Sequence, residues 1–191
     1  MYIAQNFDHL LGLAGFSEAS LKNHFTLYQG YVANANKLLE KLKSFVADGK
    51  TDTPCFAELT RRFGWEFNGL RLHEYYFDNL VKGGAKLNAD SALAKKISAQ
   101  FGTLANWEKE FRAVGAVRGI GWVILYYDTM ADKLFNVWVN EHDVGHLAGA
   151  RLLLVMDAFE HAFMLDFGLK RAEYIEAFFK VIDWSKAAAR L

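Results

Sequence analysis

Four potential metal ligands that lie far apart in the chain place the strongest constraint on its fold. Asp157 and His161 stand four positions apart after a strand-like apolar run, and His24 and His73 each lie in a helix-patterned segment. Three neutral imidazoles and one carboxylate form a ligand set that suits iron, manganese or zinc. If the four side chains converge, the fold must close the beginning, middle and end of the chain around one ion. Such a site would serve redox or Lewis-acid metal chemistry.

The composition fits one compact unit or two small subdomains that share a core. The 191 residues include 52% hydrophobic side chains and a single proline, which argues against disorder. Lys+Arg and Asp+Glu both number 22, so no global charge attracts nucleic acid or a membrane surface. We therefore expect neither nucleic acid nor a membrane as a partner, whereas local attraction of a small anion stays open.

The cysteine count and the N-terminal sequence bear on the location of the protein. Cys55 is the one cysteine, so it cannot form an internal disulfide, and a reducing compartment is allowed. The first residues include Asp8 and no basic segment, and no apolar run approaches the roughly 18 residues of a membrane span. We expect no signal peptide, no membrane segment and a cytoplasmic location.

Two long helices are predicted in the N-terminal half of the chain. Residues 17–48 predict one helix, with Ser17 as its N-cap. A second helix begins at Pro54, because proline is favoured at the first helical position, and runs to about Val81. The segment from Gly83 to Asp90 is the best candidate for a linker.

The C-terminal half predicts short helices and a small sheet. Helical patterns cover 91–101 and 104–117, strand signals cover 122–127, 134–139 and 152–156, and a final helix covers roughly 160–187, with Gly168 as a candidate interruption. We therefore predict an α+β fold. Residues 1–84 would form an N-terminal helical hairpin domain. Residues 85–191 would form a C-terminal domain in which a small, three-stranded antiparallel sheet packs on helices.

Motifs around the four ligand candidates resemble the iron/manganese superoxide dismutase family. The family's C-terminal Asp-x-Trp-Glu-His-Ala-Tyr-Tyr motif corresponds here to Asp157-Ala-Phe-Glu-His161-Ala-Phe-Met164. The first family ligand is followed by Tyr-Val-x-Asn-x-Asn, and His24 is followed by Tyr31-Val-Ala-Asn-Ala-Asn36. The second lies in Asn-His-x-x-Tyr-Trp, here Leu72-His73-Glu-Tyr-Tyr76-Phe77, and Gly119-Ile-Gly121-Trp122 matches a Gly-x-Gly-Trp strand start. The resemblance runs in order from about residue 17 to the end.

This resemblance implies a ligand set, a cofactor and a reaction. His24, His73, Asp157 and His161, with one solvent molecule, would bind one iron or manganese ion per chain. The enzyme would be a superoxide dismutase, which disproportionates superoxide to dioxygen and hydrogen peroxide while the ion cycles between its 3+ and 2+ states. Two alternatives are a non-catalytic metal-binding relative that acts as a structural or interaction module, and an iron enzyme with two histidines and one carboxylate. The four retained ligands argue against both, and they do not distinguish iron from manganese.

The same resemblance implies five further residues at the catalytic site, which are Tyr31, Gly69, Tyr76, Trp122 and His142. In many family members a glutamine or histidine hydrogen-bonds the metal-bound solvent. Gly69, on the second helix, is too small for this role, so His142, after the second strand, is expected to fill it. His146 is a rival for the role, and the pair His142 and His146 could also form a surface metal site. Arg171 resembles the arginine that lines the funnel and attracts superoxide.

The resemblance also implies contacts between subunits. Glu160 resembles the glutamate that reaches across a dimer to the partner subunit's His161. Tyr28 or Gln29 replaces the usual gateway histidine, and Met164 replaces its cross-subunit tyrosine partner. We therefore expect a homodimer, with a tetramer as the alternative, in which Glu160, Tyr28 and Met164 lie at the interface and the gateway hydrogen bond is absent or rebuilt.

Overall fold

A computed structural model describes all 191 residues, and it contains seven α-helices and three strands. In chain order these are α1 (Glu18–Ala47), α2 (Pro54–Asp78), α3 (Ala92–Phe101), α4 (Leu104–Gly115), β1 (Gly121–Asp128), β2 (Lys133–Asn140), β3 (Arg151–Asp157), α5 (Met164–Phe167), α6 (Arg171–Lys180) and α7 (Trp184–Ala189). Two short 3-10 turns cover Asp8–Leu10 and Glu160–Ala162. None of the helices combines the length and the apolarity that are needed to cross a membrane.

Side-chain caps fix the beginnings of the first four helices. The hydroxyl oxygens of Ser17, Thr53, Ser91 and Thr103 each accept a hydrogen bond from a backbone N–H in the first turn. Pro54 occupies the first turn of α2, where its missing N–H leaves no hydrogen bond unmade. These helices begin where the sequence predicts them, and the predicted α+β class is confirmed.

The helices α1 and α2 form an antiparallel hairpin. Phe45 contacts Phe56 near the connection, with ring centroids 6.3 Å apart, and His24 contacts Phe77 near the other end, at 4.8 Å. The two helices therefore run in opposite directions. This packing brings His24 and His73 face to face, with ring centroids 5.0 Å apart.

The three strands form one antiparallel sheet in the order β2-β1-β3. Trp122, near the start of the central strand, pairs with Val139 on β2 and with Asp157 on β3. The C-terminal end of β3 therefore places Asp157 beside Trp122 at one end of the sheet. Helix α4 packs on β2, where Trp107 Nε1 donates a hydrogen bond to Asn136 at 2.9 Å.

The end of α2 is attached to β3 and to the C-terminal segment. The fully buried Asn79 donates through Nδ2 to the Val155 carbonyl at 2.7 Å, and its Oδ1 accepts from Arg190 at 2.5 Å. An antiparallel backbone bridge joins Leu80 to Ile182. These contacts hold the hairpin against the sheet. The division into domains at residue 84 stays a prediction.

The last part of the chain differs from the single final helix predicted over 160–187. A 3-10 turn is followed there by α5, α6 and α7. Gly168, with φ at +56° and ψ at −127°, ends α5 in a backbone conformation that favours glycine. The residues from Val181 to Asp183 are not helical because their backbone groups bond to the chain just after α2. Asp157 is the last residue of β3.

We expect Asn79→Ala to lower the free energy of unfolding by about 2–3 kcal/mol, because the buried Val155 carbonyl loses the Asn79 donor and the Arg190 guanidinium loses one of its hydrogen-bond acceptors. Denaturant unfolding monitored by fluorescence would measure the change. Asn34→Ala, at an exposed position of α1, is the matched control and should change stability by less than about 0.5 kcal/mol. Equal stability of the two variants would contradict the proposed attachment.

Candidate metal centre

Four side chains meet where the hairpin contacts the sheet. His24 comes from α1, His73 from α2, Asp157 from the end of β3 and His161 from the 3-10 turn that follows. Their candidate ligand atoms all lie within 4.8 Å of one another. The three histidine Nε2 atoms surround one oxygen, Asp157 Oδ2, at 3.2, 3.6 and 3.0 Å in the order His24, His73 and His161.

Local hydrogen bonds orient the carboxylate of Asp157. Its Oδ1 accepts from the backbone N–H of Phe159 at 2.8 Å, which turns the chain just after β3. Its backbone carbonyl accepts from the Tyr174 hydroxyl at 2.6 Å. The turn after β3 brings His161 back toward the other carboxylate oxygen, Oδ2. Asp157 and His161, four positions apart in the sequence, therefore belong to one site.

The hydrogen bonds of His73 indicate that the cluster is built for a cation. Nδ1 lies 2.5 Å from the Gly69 carbonyl, and because a carbonyl only accepts, Nδ1 carries the proton. In the neutral ring Nε2 therefore presents a lone pair. This atom is buried, has no hydrogen-bond partner and faces Asp157 Oδ2. A cation between the two atoms would satisfy both, and three imidazole nitrogens with one carboxylate oxygen fit iron or manganese.

Burial keeps His24 and His73 unprotonated and ready to bind a metal. It lowers the pKa of His24 despite the opposing effect of Asp157, and together with His24 it lowers the pKa of His73 well below its ordinary value. Burial alone would raise the pKa of Asp157, but the interactions with His161 and His24 outweigh it and hold that pKa well below its usual range. Ionised carboxylate and neutral imidazoles are the protonation states that metal binding requires.

His142 lies beside the four ligands and holds one proton at a defined atom. Trp122 Nε1 donates to His142 Nδ1 at 3.0 Å, so the neutral ring carries its proton at Nε2. His142 Nε2 lies 2.8 Å from the Tyr31 hydroxyl oxygen and donates to it. Burial lowers the pKa of His142 to about 4, so the ring is neutral near pH 7.

Gly69 makes room for the ring of Tyr31. A Cβ at position 69 would lie 2.5 Å from that ring, closer than side-chain carbons approach one another. Tyr31 packs 5.2 Å from His73, and burial raises the pKa of Tyr31, so its hydroxyl keeps its proton at neutral pH. Tyr76 lies on the other side, with its ring centroid 5.3 Å from His24 and its hydroxyl 3.2 Å from that of Tyr174.

The structure places Tyr28 inside the chain and not at a surface that a partner subunit could reach. The side chain has no exposed area. Its hydroxyl accepts from the backbone N–H of Gln5 at 3.0 Å and donates to Glu74 at 2.8 Å, and burial raises its pKa to about 12. This geometry disagrees with the prediction of Tyr28 as an interface residue.

Glu160, Met164 and Arg171 line one open groove with a volume of about 710 Å³. The carboxylate of Glu160 is exposed and makes no hydrogen bond or ion pair within the chain. Arg171 donates to the carbonyls of Val117 and Gly119, at 2.7 Å each, ahead of β1. The three predicted steering and interface residues therefore share one surface.

His146, the rival of His142, lies elsewhere. Its Nε2 is 2.9 Å from the His142 carbonyl oxygen, and its Nδ1 is 2.6 Å from the Tyr126 hydroxyl. Both ring nitrogens are occupied, so His146 has none left for a metal shared with His142. The structure therefore brings His142, and not His146, next to Trp122 and Tyr31.

The sequence reasoning missed two residues of this region. Trp65 lies 4.5 Å from His142 and 5.6 Å from Tyr31, measured between ring centroids. Its place on α2, about two turns before His73, is the signal that could have identified it. Tyr174 is the second, and its hydroxyl donates to the backbone carbonyl of Asp157 at 2.6 Å.

Comparisons with known proteins agree with this geometry. The profile of a family described as iron/manganese superoxide dismutases, C-terminal domain, matches residues 89–190. An iron superoxide dismutase of Aquifex aeolicus is 37% identical over 184 residues, which cover 93% of this chain and 85% of the relative. An iron superoxide dismutase of Cupriavidus metallidurans is 36% identical over 183 residues, covering 93% and 89%. A manganese superoxide dismutase of Haloferax volcanii is 34% identical over 168 residues, covering 88% and 82%.

We expect the metal-free protein to lose stability as the pH falls from 6.5 toward 4. The folded state depresses the pKa values of His24, His73 and His142, so the unfolded chain binds more protons in this range. Above pH 6.5 these groups add no pH dependence to the free energy of unfolding. Below pH 6.5, each histidine that stays neutral in the folded state lowers that free energy by about 1.4 kcal/mol per pH unit. The pKa of Asp157 is also lowered in the folded state, so the loss of stability continues below pH 4.

Denaturant unfolding at several pH values between 4 and 8 would measure this slope. His142→Gln should flatten it, because the variant has no titrating ring at that position. His9→Gln, at an exposed position, is the matched control and should leave the slope unchanged. An unfolding free energy that stays constant from pH 7 to pH 4 would contradict the burial of neutral imidazoles.

Proposed function

The chain belongs to the iron/manganese superoxide dismutase family, and from this premise we propose that His24, His73, Asp157 and His161 bind its one iron or manganese ion. We propose further that the enzyme disproportionates superoxide to dioxygen and hydrogen peroxide. Three imidazole Nε2 atoms converge on one buried carboxylate oxygen, and this convergence is the observation that supports the proposal. The unpartnered Nε2 of His73 adds to it.

An iron or manganese ion held by these four residues would supply one-electron chemistry through its 3+ and 2+ states. In sum, two superoxide ions and two protons become one dioxygen and one hydrogen peroxide. The protein must therefore bring protons to a buried site, since the ligand atoms that would bind the ion carry none. A carboxylate among the ligands favours the higher oxidation state, since a hard anionic oxygen stabilises higher charge.

We propose His142 and Tyr31 as the groups that hold protons beside the ligands. Trp122 fixes the tautomer of His142, so its single N–H points toward Tyr31. Burial raises the pKa of Tyr31 and lowers that of His142, so both are neutral at pH 7. A neutral histidine has only one N–H, so the hydrogen bond to the Tyr31 oxygen sets how strongly His142 can donate to any other acceptor at the site.

We propose Arg171 as the residue that attracts superoxide. The chain carries equal numbers of acidic and basic residues, so attraction must come from local charge. Two nitrogens of the Arg171 guanidinium bond to backbone carbonyls, which fixes its position at the groove. Its remaining N–H groups are available to an anion.

Activity and metal content measured on the same samples would test this function. We expect protein loaded separately with iron and with manganese to consume superoxide with at least one metal. His161→Ala should lower activity and metal occupancy by more than about 100-fold, because it removes a ligand. His9→Ala, an exposed histidine, is the control and should behave like the parent chain.

The same experiment separates the catalytic reading from its alternative, a non-catalytic metal-binding relative that acts as a structural or interaction module. Activity with one metal only, lost in His161→Ala, would identify the cofactor. Comparable activity with both would indicate an enzyme that accepts either ion. One metal per chain without superoxide consumption would contradict the catalytic proposal and favour the alternative.

We propose that the active form is a homodimer in which Glu160 of the partner subunit accepts a hydrogen bond from His161 Nδ1. Within the chain the His161 ring bonds only through Nε2, and the Glu160 carboxylate has no partner. Metal-ligating histidines usually donate their second N–H to a carboxylate or carbonyl. Met164, which is 47% exposed, lies in the same groove and would be covered.

We expect sedimentation equilibrium to give twice the chain mass, and Glu160→Ala to shift the equilibrium toward the monomer by about 10-fold or more, as expected for loss of a charge-assisted hydrogen bond. Glu58→Ala, an exposed glutamate on α2 that pairs with Arg61, is the matched control. A Glu160→Ala protein with the parent's dimer stability would contradict this contact. A tetrameric mass would keep the contact and add a second interface.

We also propose a cytoplasmic location. The one cysteine, Cys55, is exposed and free, which is compatible with a reducing compartment. Localisation of a tagged full-length chain in fractionated cells would test this.

A further inference from the structure

The loop that carries His142 is joined to two separate parts of the fold. We call residues 141–146 the His142 loop; it follows β2 directly. Glu141, at its start, has φ at +49°, a left-handed conformation that residues with a side chain rarely adopt. Such a conformation persists only where surrounding contacts determine it. Here the Glu141 N–H donates to the Ile120 carbonyl at 3.0 Å, just ahead of β1, and side chains of α2 and β1 add further contacts to the loop.

On the first side, Trp65 of α2 contacts both Glu141 and His142. Its Nε1 donates to Glu141 Oε2 at 3.1 Å. Its ring meets the His142 ring edge to face, with centroids 4.5 Å apart. Trp65 is itself held in place, because the Arg62 guanidinium lies 3.7 Å over its ring and donates to the buried Glu66 at 2.9 Å.

On the second side, His146 connects the loop to β1. The His142 carbonyl can only accept, so His146 Nε2, 2.9 Å away, carries a proton and donates it. In the neutral ring Nδ1 is then an acceptor, and it accepts a hydrogen bond from the Tyr126 hydroxyl at 2.6 Å. His146 thus joins the backbone of residue 142 to the central strand of the sheet.

We propose that Trp65 and His146 are positioning residues that hold His142 against Trp122 and Tyr31. This inference rests on the proposed role of His142 as the group that holds a proton beside the metal. The backbone of residue 142 is fixed from β1, and its ring is fixed from α2. A proton-holding group must stay within about 0.5 Å of its working position, and residues behind it must supply that precision.

The geometry also explains why both contacts are needed. The His142 ring is bonded at Nδ1 by Trp122 and at Nε2 to Tyr31, so a rotation or shift of the loop would break both bonds together. Trp122 belongs to the sheet, whereas Tyr31 belongs to the hairpin. Trp65 and His146 connect the loop to these same two parts of the molecule. The position of the loop is therefore set by both the sheet and the hairpin, the two parts that also carry the candidate metal ligands.

Four variants of the metal-loaded chain test the proposal. His146→Leu removes both hydrogen bonds of the ring. His146→Gln retains them, because its amide N–H can donate to the His142 carbonyl and its oxygen can accept from Tyr126. Tyr126→Phe removes one hydroxyl only. Trp65→Phe keeps a ring beside His142 and loses the donor to Glu141.

Amide hydrogen exchange of residues 140–147 is the first readout, since it does not depend on activity. We expect His146→Leu to raise exchange there by about 10-fold or more while the metal content is unchanged, and His146→Gln to restore most of the protection. Trp65→Phe and Tyr126→Phe should give smaller increases. Tyr127→Phe, whose hydroxyl bonds to Asp132 away from the loop, is the matched control and should change nothing.

Steady-state kinetics are the second readout. We expect His146→Leu to lower kcat by about 10-fold with little change in KM, because a misplaced proton donor affects turnover and not the attraction of superoxide. If His146→Leu loses its metal, Tyr126→Phe becomes the deciding variant. Parent-like exchange in that variant, or in a metal-loaded His146→Leu, would overturn the proposal.

His142→Ala separates this inference from the function on which it rests. If His142→Ala keeps the parent's activity while His146→Leu still raises exchange, the loop contacts stand and the proton-holding role of His142 fails. If His142→Ala lowers kcat but exchange is unaffected in His146→Leu and Trp65→Phe, the role of His142 stands and the positioning proposal fails. A kcat that falls in His146→Leu and recovers in His146→Gln supports both the proton-holding role of His142 and the positioning role of His146.

Discussion

The buried charge on Asp157 is the constraint on which the rest of the structure depends. Its side chain is fully buried, and one of its oxygens lies within 3.6 Å of three imidazole nitrogens. A carboxylate isolated in a protein interior is strongly unfavourable unless it is paired or binds a metal. Burial lowers the pKa values of His24 and His73, so these two imidazoles stay neutral and do not compensate that charge. A bound cation would provide the missing compensation, and α1, α2, β3 and the following turn must all pack together to surround it.

The residues around the ligands show how the fold controls hydrogen-bond direction. The Gly69 carbonyl fixes the proton of His73 on Nδ1 and leaves Nε2 for the metal. Trp122 does the reverse for His142, since it occupies Nδ1 and keeps the proton on Nε2. Gly69 acts twice, because its missing side chain also leaves the space that the Tyr31 ring fills. A side chain at position 69 could therefore be introduced only if Tyr31 moved away from His142.

The sequence was sufficient for the elements whose signals are local, and it failed where distant contacts decide. Ser17 and Pro54 marked helix starts because the preferences at a helix N-terminus involve only neighbouring residues. The segment 160–187 has helical composition, yet residues 181–183 leave the helix to bond with the chain after α2. The burial of Tyr28 depends on Gln5 and Glu74, which no periodic pattern connects to it. The four ligand candidates were accessible only through their motifs, since spacing alone does not show that positions 24, 73 and 157 meet.

Burial of the ligands links metal binding to folding. The burial that holds His24 and His73 neutral for a metal also leaves His73 Nε2 without a partner when no cation is bound. The ligands come from the hairpin and from the end of the sheet, so an ion that joins them also joins these two parts of the chain. Because an unfolded chain does not hold these ligands together, the free energy of metal binding adds to the free energy of folding. Tight metal binding and stable association of hairpin and sheet are then two consequences of one set of contacts. A substitution that weakens the hairpin–sheet junction at Asn79 should therefore weaken metal binding as well, although Asn79 is not among the ligands.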